Sequence, residues 1–542
     1  FVWRCESFNK IIFLFLVLKT KSPLYIITKS NVWRIFIVAK SNQKILVVNK
    51  RMLGSVQNNI ECKVASADQK VMGLLLSSAK VEVTSCEPLQ KEANVSGKIV
   101  IDILYKTEND EIDSTSSAFA FSSKVEGDFE PNLGVVATAE IVDYSVDGVS
   151  EDEVRFVVTT EVRVLGYPQT EFEVAGADED LCVKMSENHA TRLTKSSNQK
   201  LSDTLSFDIK DKVKKVLRVD VQTICKDAQA GNGYVTLNGE DIVDILYVED
   251  DVEPKLKSVS FVHPFGEELE VGGVTKDSLI DQFVSVKYDS LSNTLEQGED
   301  GAKININREA NVQIFAFEKF DFESIEDVYS LSHTTLVSTN SYDYLAPQKQ
   351  MYFQNKIDGT VTAGENTPRI DKVLENSANT LKVLAYYVQD DEIVIQGTMQ
   401  TTVIYLNDEN STIESLEVEI PFEVKQRIEE IPGASIDVKC AVDGVDVVAK
   451  RGKDIFVEAE VKTYVAVYST ETGAAISGIE LQDELPPKTS AMEIYFANAG
   501  QTLWDVAKDM VESVDTLAKF NPDLPEVMAG DEKIICYRKK SI

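Results

Sequence analysis

The sequence contains few of the residues on which most metal and acid–base sites depend. There are three histidines, His189, His263 and His333, and each stands alone in its neighbourhood. The seven cysteines are scattered, without a CxxC pair or another spacing suited to zinc or redox chemistry. No HExxH, GxSxG or phosphate-binding glycine loop occurs, and nothing selects a catalytic pair among the 89 acidic residues. These absences predict a non-catalytic protein without a metal ion or a cofactor.

Basic residues are also scarce in most of the chain. The net charge is −34 over 542 residues, and residues 1–51 hold ten of the 55 lysines and arginines but one acid, so the remainder carries 45 basic and 88 acidic residues. Such an acidic body repels nucleic acid and anionic membrane surfaces. The apolar content of 43% is enough for the cores of several domains.

Residues 1–51 differ in composition from everything that follows. They contain neither glycine nor aspartate, and they include an apolar run at residues 11–18. That run is too short to span a bilayer, and no small-residue cleavage site of a signal peptide follows it. We expect residues 1–51 to be an upstream non-native extension or a disordered leader, with the working protein starting at Met52. An exported or anchored protein is the alternative.

A glycine followed eight positions later by a tyrosine recurs in the middle of the chain. The three pairs are Gly97 and Tyr105, Gly239 and Tyr247, and Gly397 and Tyr405. Apolar residues alternate with polar ones before each glycine, which is typical of a β-strand. A glycine inside a strand permits a bulge or the close approach of another backbone. We therefore predict that the three glycines share one local geometry.

The segment after each glycine is predicted to be a strand with two different faces. In the first copy, one face collects Ile99, Ile101 and Ile103, whereas the other includes Asp102 and Leu104. This pattern indicates one buried face and one half-exposed face. The copies run near residues 57–167, 195–318 and 350–469. The many short strands predict a mainly β protein with three repeated β-sandwich or barrel-like domains.

The joins between the copies are mostly polar. They lie at residues 168–194, 319–349 and 470–490, and their composition is typical of linkers. A short helix is expected near residues 323–331.

Residues 491–538 have a different pattern from the repeats. A strand is predicted over residues 493–497, and Thr502 with Asp505 forms the capping signal of a first helix. A second helix is predicted to begin after Ser513 and to end at Asn521, and a last strand to cover residues 533–536. The order is strand, helix, helix, strand, a small βααβ domain.

This last segment resembles the LysM domain, through Gly500-Gln501-Thr502-Leu503-Trp504, Asn521-Pro522 and Gly530-Asp531. The resemblance implies a groove that binds N-acetylglucosamine-containing glycans such as peptidoglycan, formed by the loops at residues 499–503 and 521–527. For Trp504, packing is favoured over stacking on a sugar. The candidate ligand-binding residues are Gly500, Gln501, Thr502, Leu503, Asn521, Pro522, Asp523 and Leu524.

The three repeats resemble the SPOCS domain, found in sporulation proteins of Firmicutes. The resemblance rests on the glycine–tyrosine spacing, the apolar strands and the domain order, because tandem SPOCS domains followed by LysM are typical of spore-coat morphogenesis proteins of Clostridia. It implies a protein of the mother-cell cytoplasm, located at the forespore surface in the spore coat. The implied partner is the stage IV sporulation coat ATPase or another spore coat protein.

The leading hypothesis is therefore a non-catalytic scaffold or adaptor that links the basement layer of the coat to the forespore surface. The alternative is a cell-wall protein whose LysM domain binds peptidoglycan or its precursors outside the membrane. Retention on purified peptidoglycan that depends on residues 491–542 would favour the alternative.

Overall fold

The architecture comes from a computed structural model, which describes residues 42–537 apart from short gaps. The gaps are residues 67–68, 178–179, 253–254, 300, 347–348, 410–411, 429–433 and 451–452. Within the described ranges the chain forms 25 strands and two α-helices, so the mainly β fold is confirmed. The expectations for residues 1–41 lie outside the described residues.

The first repeat forms a flattened barrel. Its strands are β1 (Gln43–Val48), β2 (Arg51–Ala65), β3 (Gly73–Pro88), β4 (Glu92–Lys106), β5 (Ile112–Glu126), β6 (Gly134–Val149), β7 (Glu153–Tyr167) and β8 (Gln169–Val174). The antiparallel sheets β3-β4-β5 and β2-β7-β6 enclose one apolar core. Their edges lie side by side, β2 next to β5 and β3 next to β6, which closes the barrel.

The second repeat has the same design with one interrupted strand. Its strands are β9 (Leu181–Ile209), β10 (Val213–Ala230), β11 (Tyr234–Glu249), β12 (Leu256–Glu270), β13 (Leu279–Val286), β14 (Ser292–Gln297) and β15 (Ala302–Ser330). The sheet β10-β11-β12 faces a sheet in which β13, β14 and β9 all pair with β15. A 3-10 turn, Tyr288–Ser290, separates β13 from β14.

The third repeat returns to the design of the first. Its strands are β16 (His333–Leu345), β17 (Lys349–Thr362), β18 (Ile370–Gln389), β19 (Glu392–Asn407), β20 (Ile413–Arg427), β21 (Ser435–Lys450), β22 (Asp454–Tyr468) and β23 (Thr470–Glu484). The sheets β18-β19-β20 and β17-β22-β21 enclose a single apolar core.

The three repeat glycines share one geometry, as predicted. Each lies on the central strand of its barrel, and the partner strand bulges opposite it, between residues 83 and 85, 225 and 227, or 383 and 385. A Cβ atom on Gly239 would stand 2.4 Å from the ring of Phe265 and 2.5 Å from the carbonyl oxygen of Ile224. Gly97 and Gly397 face an equivalent phenylalanine and carbonyl. A bulge and a close aromatic contact therefore require glycine at all three positions.

The three barrels pack in a ring, which we call the hub (residues 51–167, 195–316 and 349–468). The Ser114 hydroxyl donates to the Leu217 carbonyl at 2.6 Å, which joins barrel 1 to barrel 2. Ser258 donates to Glu375 at 2.5 Å between barrels 2 and 3. The ring closes where the Lys382 ammonium donates to a backbone carbonyl of barrel 1 at 2.8 Å.

The ring changes the burial of the central strands. The face that collects Ile99, Ile101 and Ile103 is fully buried inside barrel 1, as predicted. The opposite face was expected to be half-exposed, yet Leu104 is also buried. It packs in one cluster with its counterparts in the other two barrels, Leu246 and Ile404. The second face is therefore the contact surface between repeats.

The polar joins between repeats are strands, so their interpretation as linkers was wrong. Each barrel continues into a two-stranded ribbon: β1 with β8, residues 181–193 of β9 with 317–330 of β15, and β16 with β23. We call the three packed ribbons the stalk. The helix expected near residues 323–331 is part of β15, and residues 470–484 of the expected linker 470–490 are β23.

The stalk core explains why polar segments form strands here. Each ribbon turns one apolar side inward, and Phe172, Phe322 and Tyr342 of the three ribbons meet in one cluster. The rings of Phe172 and Tyr342 stack with centroids 4.1 Å apart. A lone ribbon cannot bury enough surface to be stable, so only the association of three ribbons makes these strands.

Residues 43–51 belong to the fold, which corrects the expectation that all of residues 1–51 lie outside it. β1 contributes Ile45 and Val47 to the stalk core. The side chain of Lys50 is fully buried, and its ammonium group lies 2.6 Å from both Asp281 and Asp437. Lys50 therefore connects barrel 1 with barrels 2 and 3.

The terminal module, residues 492–537, has the predicted βααβ order. Its elements are β24 (Met492–Phe496), α1 (Leu503–Asp509), α2 (Val514–Phe520) and β25 (Lys533–Tyr537). Thr502 and Asp505 form a full capping box on α1, and Ser513 caps α2. β24 and β25 pair antiparallel, and both helices bury apolar residues against them.

Neither described helix is long and apolar enough to cross a membrane.

Candidate functional site

The residues predicted to bind a ligand lie in two loops of the terminal module. The loops meet where Thr502 forms an isolated antiparallel bridge with Val527. The Gly500 N–H donates to the Met528 carbonyl at 2.9 Å, and the Met528 N–H donates to the Gln501 carbonyl at 2.8 Å. The structure therefore brings the first loop against the end of the second.

The side chain of Gln501 is occupied within the module. Its amide oxygen accepts from the Asn498 N–H at 2.8 Å, and its amide nitrogen donates to the Asp509 carboxylate at 3.0 Å. The Tyr495 hydroxyl donates to the same carboxylate at 2.6 Å, and this hydrogen bond raises the pKa of Tyr495. Gln501 therefore fastens the first loop to β24 and α1.

Two further polar side chains of the predicted site have structural partners. Thr502 caps α1, and the hydrogen bonds that its backbone N–H and hydroxyl donate lower the pKa of Asp505. The Asn521 side chain accepts from the Ile535 N–H at 2.9 Å and donates to the Ile535 carbonyl at 2.8 Å. Asn521 therefore forms the hydrogen bonds that the N–H and carbonyl of Ile535 would otherwise lack on the free edge of β25.

The other predicted residues are divided between surface and core. Gly500, Pro522 and Asp523 are exposed, and Gly500 has a φ of +89°, a conformation that favours glycine. Leu503 and Leu524 are half-buried against the module core. The exposed part of the two loops thus carries two charged side chains, Asp523 and Glu526, both acidic.

Trp504 packs within the protein, as predicted, and its contacts lie on the stalk. It is 4% exposed, and its ring meets that of Tyr329 edge-on with centroids 5.1 Å apart. Its indole N–H donates to the Asp327 carboxylate at 2.8 Å, and the Lys508 ammonium reaches the same carboxylate at 2.6 Å. The Tyr329 hydroxyl donates to the Glu512 carbonyl at 2.7 Å. These contacts, which we call the latch, hold the module on the stalk.

The latch depends on a bulge in the stalk that the sequence did not indicate. β15 shifts register between Ile325 and Asp327. Burial by itself would raise the pKa of Asp327, but the hydrogen bonds from Lys508 and Trp504 outweigh it and hold the pKa below its ordinary value. Asp327 was missed because it lies in a segment interpreted as a linker with a short helix.

The outer surface of the module sheet is apolar and exposed. We call it the outer face; its side chains are Met492, Ile494 and Phe496 of β24, Ile535 and Tyr537 of β25, and Phe520 beside them. Phe496 is 65% exposed, Tyr537 51% and Ile494 48%. The alternation of Met492, Ile494 and Phe496 with Glu493 and Tyr495 was a visible signal for a second apolar face.

Within the described ranges, no cluster of three or more histidine, cysteine or acidic side chains is placed to hold a metal ion.

Comparison with known families identifies the repeats. The family model described as "SipL, SPOCS domain" matches residues 70–149, 212–296 and 369–450. Each match starts near the first strand of the first sheet in its barrel and includes one of the three repeat glycines. No curated protein and no solved structure matches the chain. The chain is thus similar to SipL across these three segments, and this similarity to the SPOCS domain implies a sporulation-related protein.

Proposed function

We propose that this protein is a non-catalytic scaffold of spore envelope assembly, located at the forespore surface on the mother-cell side. Its terminal module is proposed to be a LysM-type binding domain. The hub and stalk hold this module at a fixed place for a partner in the coat basement layer, either the stage IV sporulation coat ATPase or another coat protein.

The observation that carries this proposal is the continuity of the framework from the hub to the module. Each ribbon of the stalk continues the strands of its barrel, and Lys50 ties the three barrels together through Asp281 and Asp437. At the other end, Asp327 and Tyr329 fasten the module. Such a framework suits a spacer that presents a binding surface, because a rigid element positions a site better than a flexible linker does.

The acidic surface supports a protein partner over nucleic acid. The net charge of −34 repels phosphate backbones. It also raises the rate of encounter with basic proteins through long-range attraction.

A second candidate function, binding of peptidoglycan in a cell wall, is favoured by the meeting of the two loops at Thr502 and Val527. Two observations weigh against it. Gln501, Thr502 and Asn521 already have internal hydrogen-bond partners. The buried Trp504 offers no stacking surface to a sugar.

Affinity capture from sporulating cells tests the scaffold proposal. Full-length protein is expected to recover the coat ATPase or other coat proteins, and a form that lacks residues 491–542 is expected to recover much less. Recovery of wall material without coat proteins would contradict the proposal.

A parallel pull-down on purified peptidoglycan tests the second candidate. Asp523→Ala with Pro522→Ala removes exposed loop side chains without touching the latch. If the unsubstituted protein is retained on peptidoglycan and the double variant is not, the result would favour glycan binding.

A further inference from the structure

The outer face of the terminal module is a sheet surface without a covering layer in the described part of the chain. Its cross-strand pairs are Met492 with Tyr537, Ile494 with Ile535, and Phe496 with Lys533. The opposite face of the same sheet packs on α1 and α2 through Ile534 and Cys536. A sheet that is apolar on both faces usually packs against another layer on each side.

The size of the outer face restricts what can cover it. Its six side chains expose on the order of 500 Å² of apolar surface, which is in the range of patches that mark interaction sites. Each partner of a lasting protein complex buries about 800 Å². The face is therefore too small for a stable dimer of two copies through this surface alone, and a single secondary-structure element is a better match.

The geometry favours a helix over a strand added beside β25. β25 has five residues, and the Asn521 side chain already occupies the N–H and carbonyl of Ile535 on its free edge. An added strand needs those edge groups. A five-residue strand is roughly 17 Å long, which equals the length of about eleven helical residues, and a helix about 10 Å wide covers two strands.

The positive charge beside the outer face predicts the sign of the charge on its partner. Lys533 lies in the row of Phe496, with its ammonium 5.9 Å from the ring centroid, and it forms no ion pair with the described residues. A partner with an acidic residue beside its apolar side chains complements the positive charge of Lys533.

We infer that the outer face binds an amphipathic helix of another protein, with apolar residues at positions i, i+3, i+4 and i+7 and acidic residues on its flanks. The inference rests on the proposed function in that the occupant is a protein partner of the scaffold. It assigns the binding to the side chains of Ile494 and Phe496 and leaves the two predicted ligand loops outside the contact.

Photo-crosslinking in sporulating cells tests the identity of the occupant. Ile494 in the full-length chain is replaced by p-benzoylphenylalanine, with the same replacement of the exposed loop residue Val527 as the control. The expected result is cross-links from position 494 to one partner segment at helical spacing, with acidic neighbours. Cross-links to alternate residues of a strand, to a second copy, to residues 1–41, to glycan or to no partner would overturn the inference, as would equal labelling from position 527.

Capture with a surface variant separates this inference from the scaffold proposal. Ile494→Ser with Phe496→Ser is expected to reduce recovery of the partner at least about tenfold, whereas Val527→Ser leaves it unchanged. An unchanged thermal midpoint confirms that the variants are folded. If the double variant recovers its partner normally while deletion of residues 491–542 abolishes recovery, the inference fails and the scaffold proposal stands.

Discussion

The hub and the stalk both join all three repeats, but buried polar groups accompany the apolar cluster of Leu104, Leu246 and Ile404 in the hub, whereas the centre of the stalk is aromatic. Where the three barrels meet, the buried guanidinium of Arg218 donates to Ser78 and Ser377 at 3.0 Å and to Asp220 at 2.9 Å. These four residues come from all three barrels. Where the three ribbons meet, the centre is a cluster of aromatic rings.

This difference means that hydrogen bonds fix the arrangement of the barrels in the hub, whereas aromatic burial stabilises the association of the ribbons in the stalk. Directional hydrogen bonds from one arginine fix which barrel faces which, because a misplaced barrel would leave buried N–H donors of Arg218 without their serine acceptors. Aromatic rings in the stalk bury area without demanding one partner. The hub should therefore be sensitive to changes of charge and pH, whereas the stalk should be sensitive to changes of volume.

The largest effect is expected for a buried ion pair that distinguishes barrel 2. The guanidinium of Arg308 lies 2.6 Å from the carboxylate of Asp241. At the position of Asp241, two residues after the repeat glycine, the other barrels have Ile99 and Met399. Arg308→Leu should lower the free energy of unfolding by about 3–5 kcal/mol, because it leaves the buried Asp241 carboxylate without a counter-charge. Adding Asp241→Ile to this variant should restore most of the lost free energy of unfolding. Urea titrations followed by circular dichroism measure both changes. A double variant as unstable as the single variant would contradict this account.

Removing an aromatic ring should loosen the stalk and spare the hub. Phe322 is buried beside the stacked rings of Phe172 and Tyr342, with its ring centroid 6.0 and 5.9 Å from theirs. Phe322→Ala should destabilise the ribbons by about 3 kcal/mol through lost burial and a residual cavity. Hydrogen exchange should accelerate in the ribbons and remain slow in the barrels. Leu336→Ala, at an exposed position of the third ribbon, is the control; uniform acceleration across the chain would show that the two regions are not separable.

The contact between barrels 1 and 2 should depend on pH. Burial, reinforced by the carboxylate of Asp289, raises the pKa of Glu82 from 4.5 to about 7. A raised pKa means that the fold favours the protonated acid. Glu82 therefore contributes stability below pH 4.5, and this stability is lost as the pH rises through about 7.

Glu82→Gln should therefore remove that pH dependence and stabilise the protein at pH 8 by about 1–2 kcal/mol. The exposed Glu87 lies on the same strand, and Glu87→Gln is the matched control. Thermal midpoints measured from pH 4 to pH 8 check the expectation. A variant that retains the wild-type pH profile would assign the dependence to another group.

The smallest effect is expected at the latch. Asp327→Asn weakens the hydrogen bonds from Trp504 and Lys508 and should cost about 1 kcal/mol of docking energy. Because the pKa of Asp327 is lowered, docking is strongest at neutral pH and weakens as the pH falls through the folded-state value, below 3.8. Faster hydrogen exchange in α1, without change in the hub, checks this; Asp523→Asn should have no effect.

The repeat glycines and the terminal module were predictable because local signals agree with the fold. Glycine recurs at residues 97, 239 and 397 because each barrel needs the same bulge and the same close contact with a phenylalanine. The capping box of Thr502 and Asp505 fixes the start of α1 by adjacent hydrogen bonds. Such short-range interactions are visible in a single sequence.

The candidate site was only partly predictable. The two predicted loops meet at Thr502 and Val527, but the side chains of Gln501 and Asn521 make their hydrogen bonds inside the module. Their partners, Asp509 and Ile535, are eight and fourteen positions away. The role of Asp327 depends on a residue 181 positions distant, Lys508, and no local pattern reports such a contact.

The sequence by itself determined that the chain is mainly β, that one strand design occurs three times, and that the last fifty residues form a βααβ unit. Only the tertiary structure decided that Leu104, Leu246 and Ile404 meet, that polar joins become a stalk, and that the module is fastened by its tryptophan. The physical reason is that a strand's periodicity records which faces are apolar, whereas the partner of each apolar face is chosen by association over long distances in sequence.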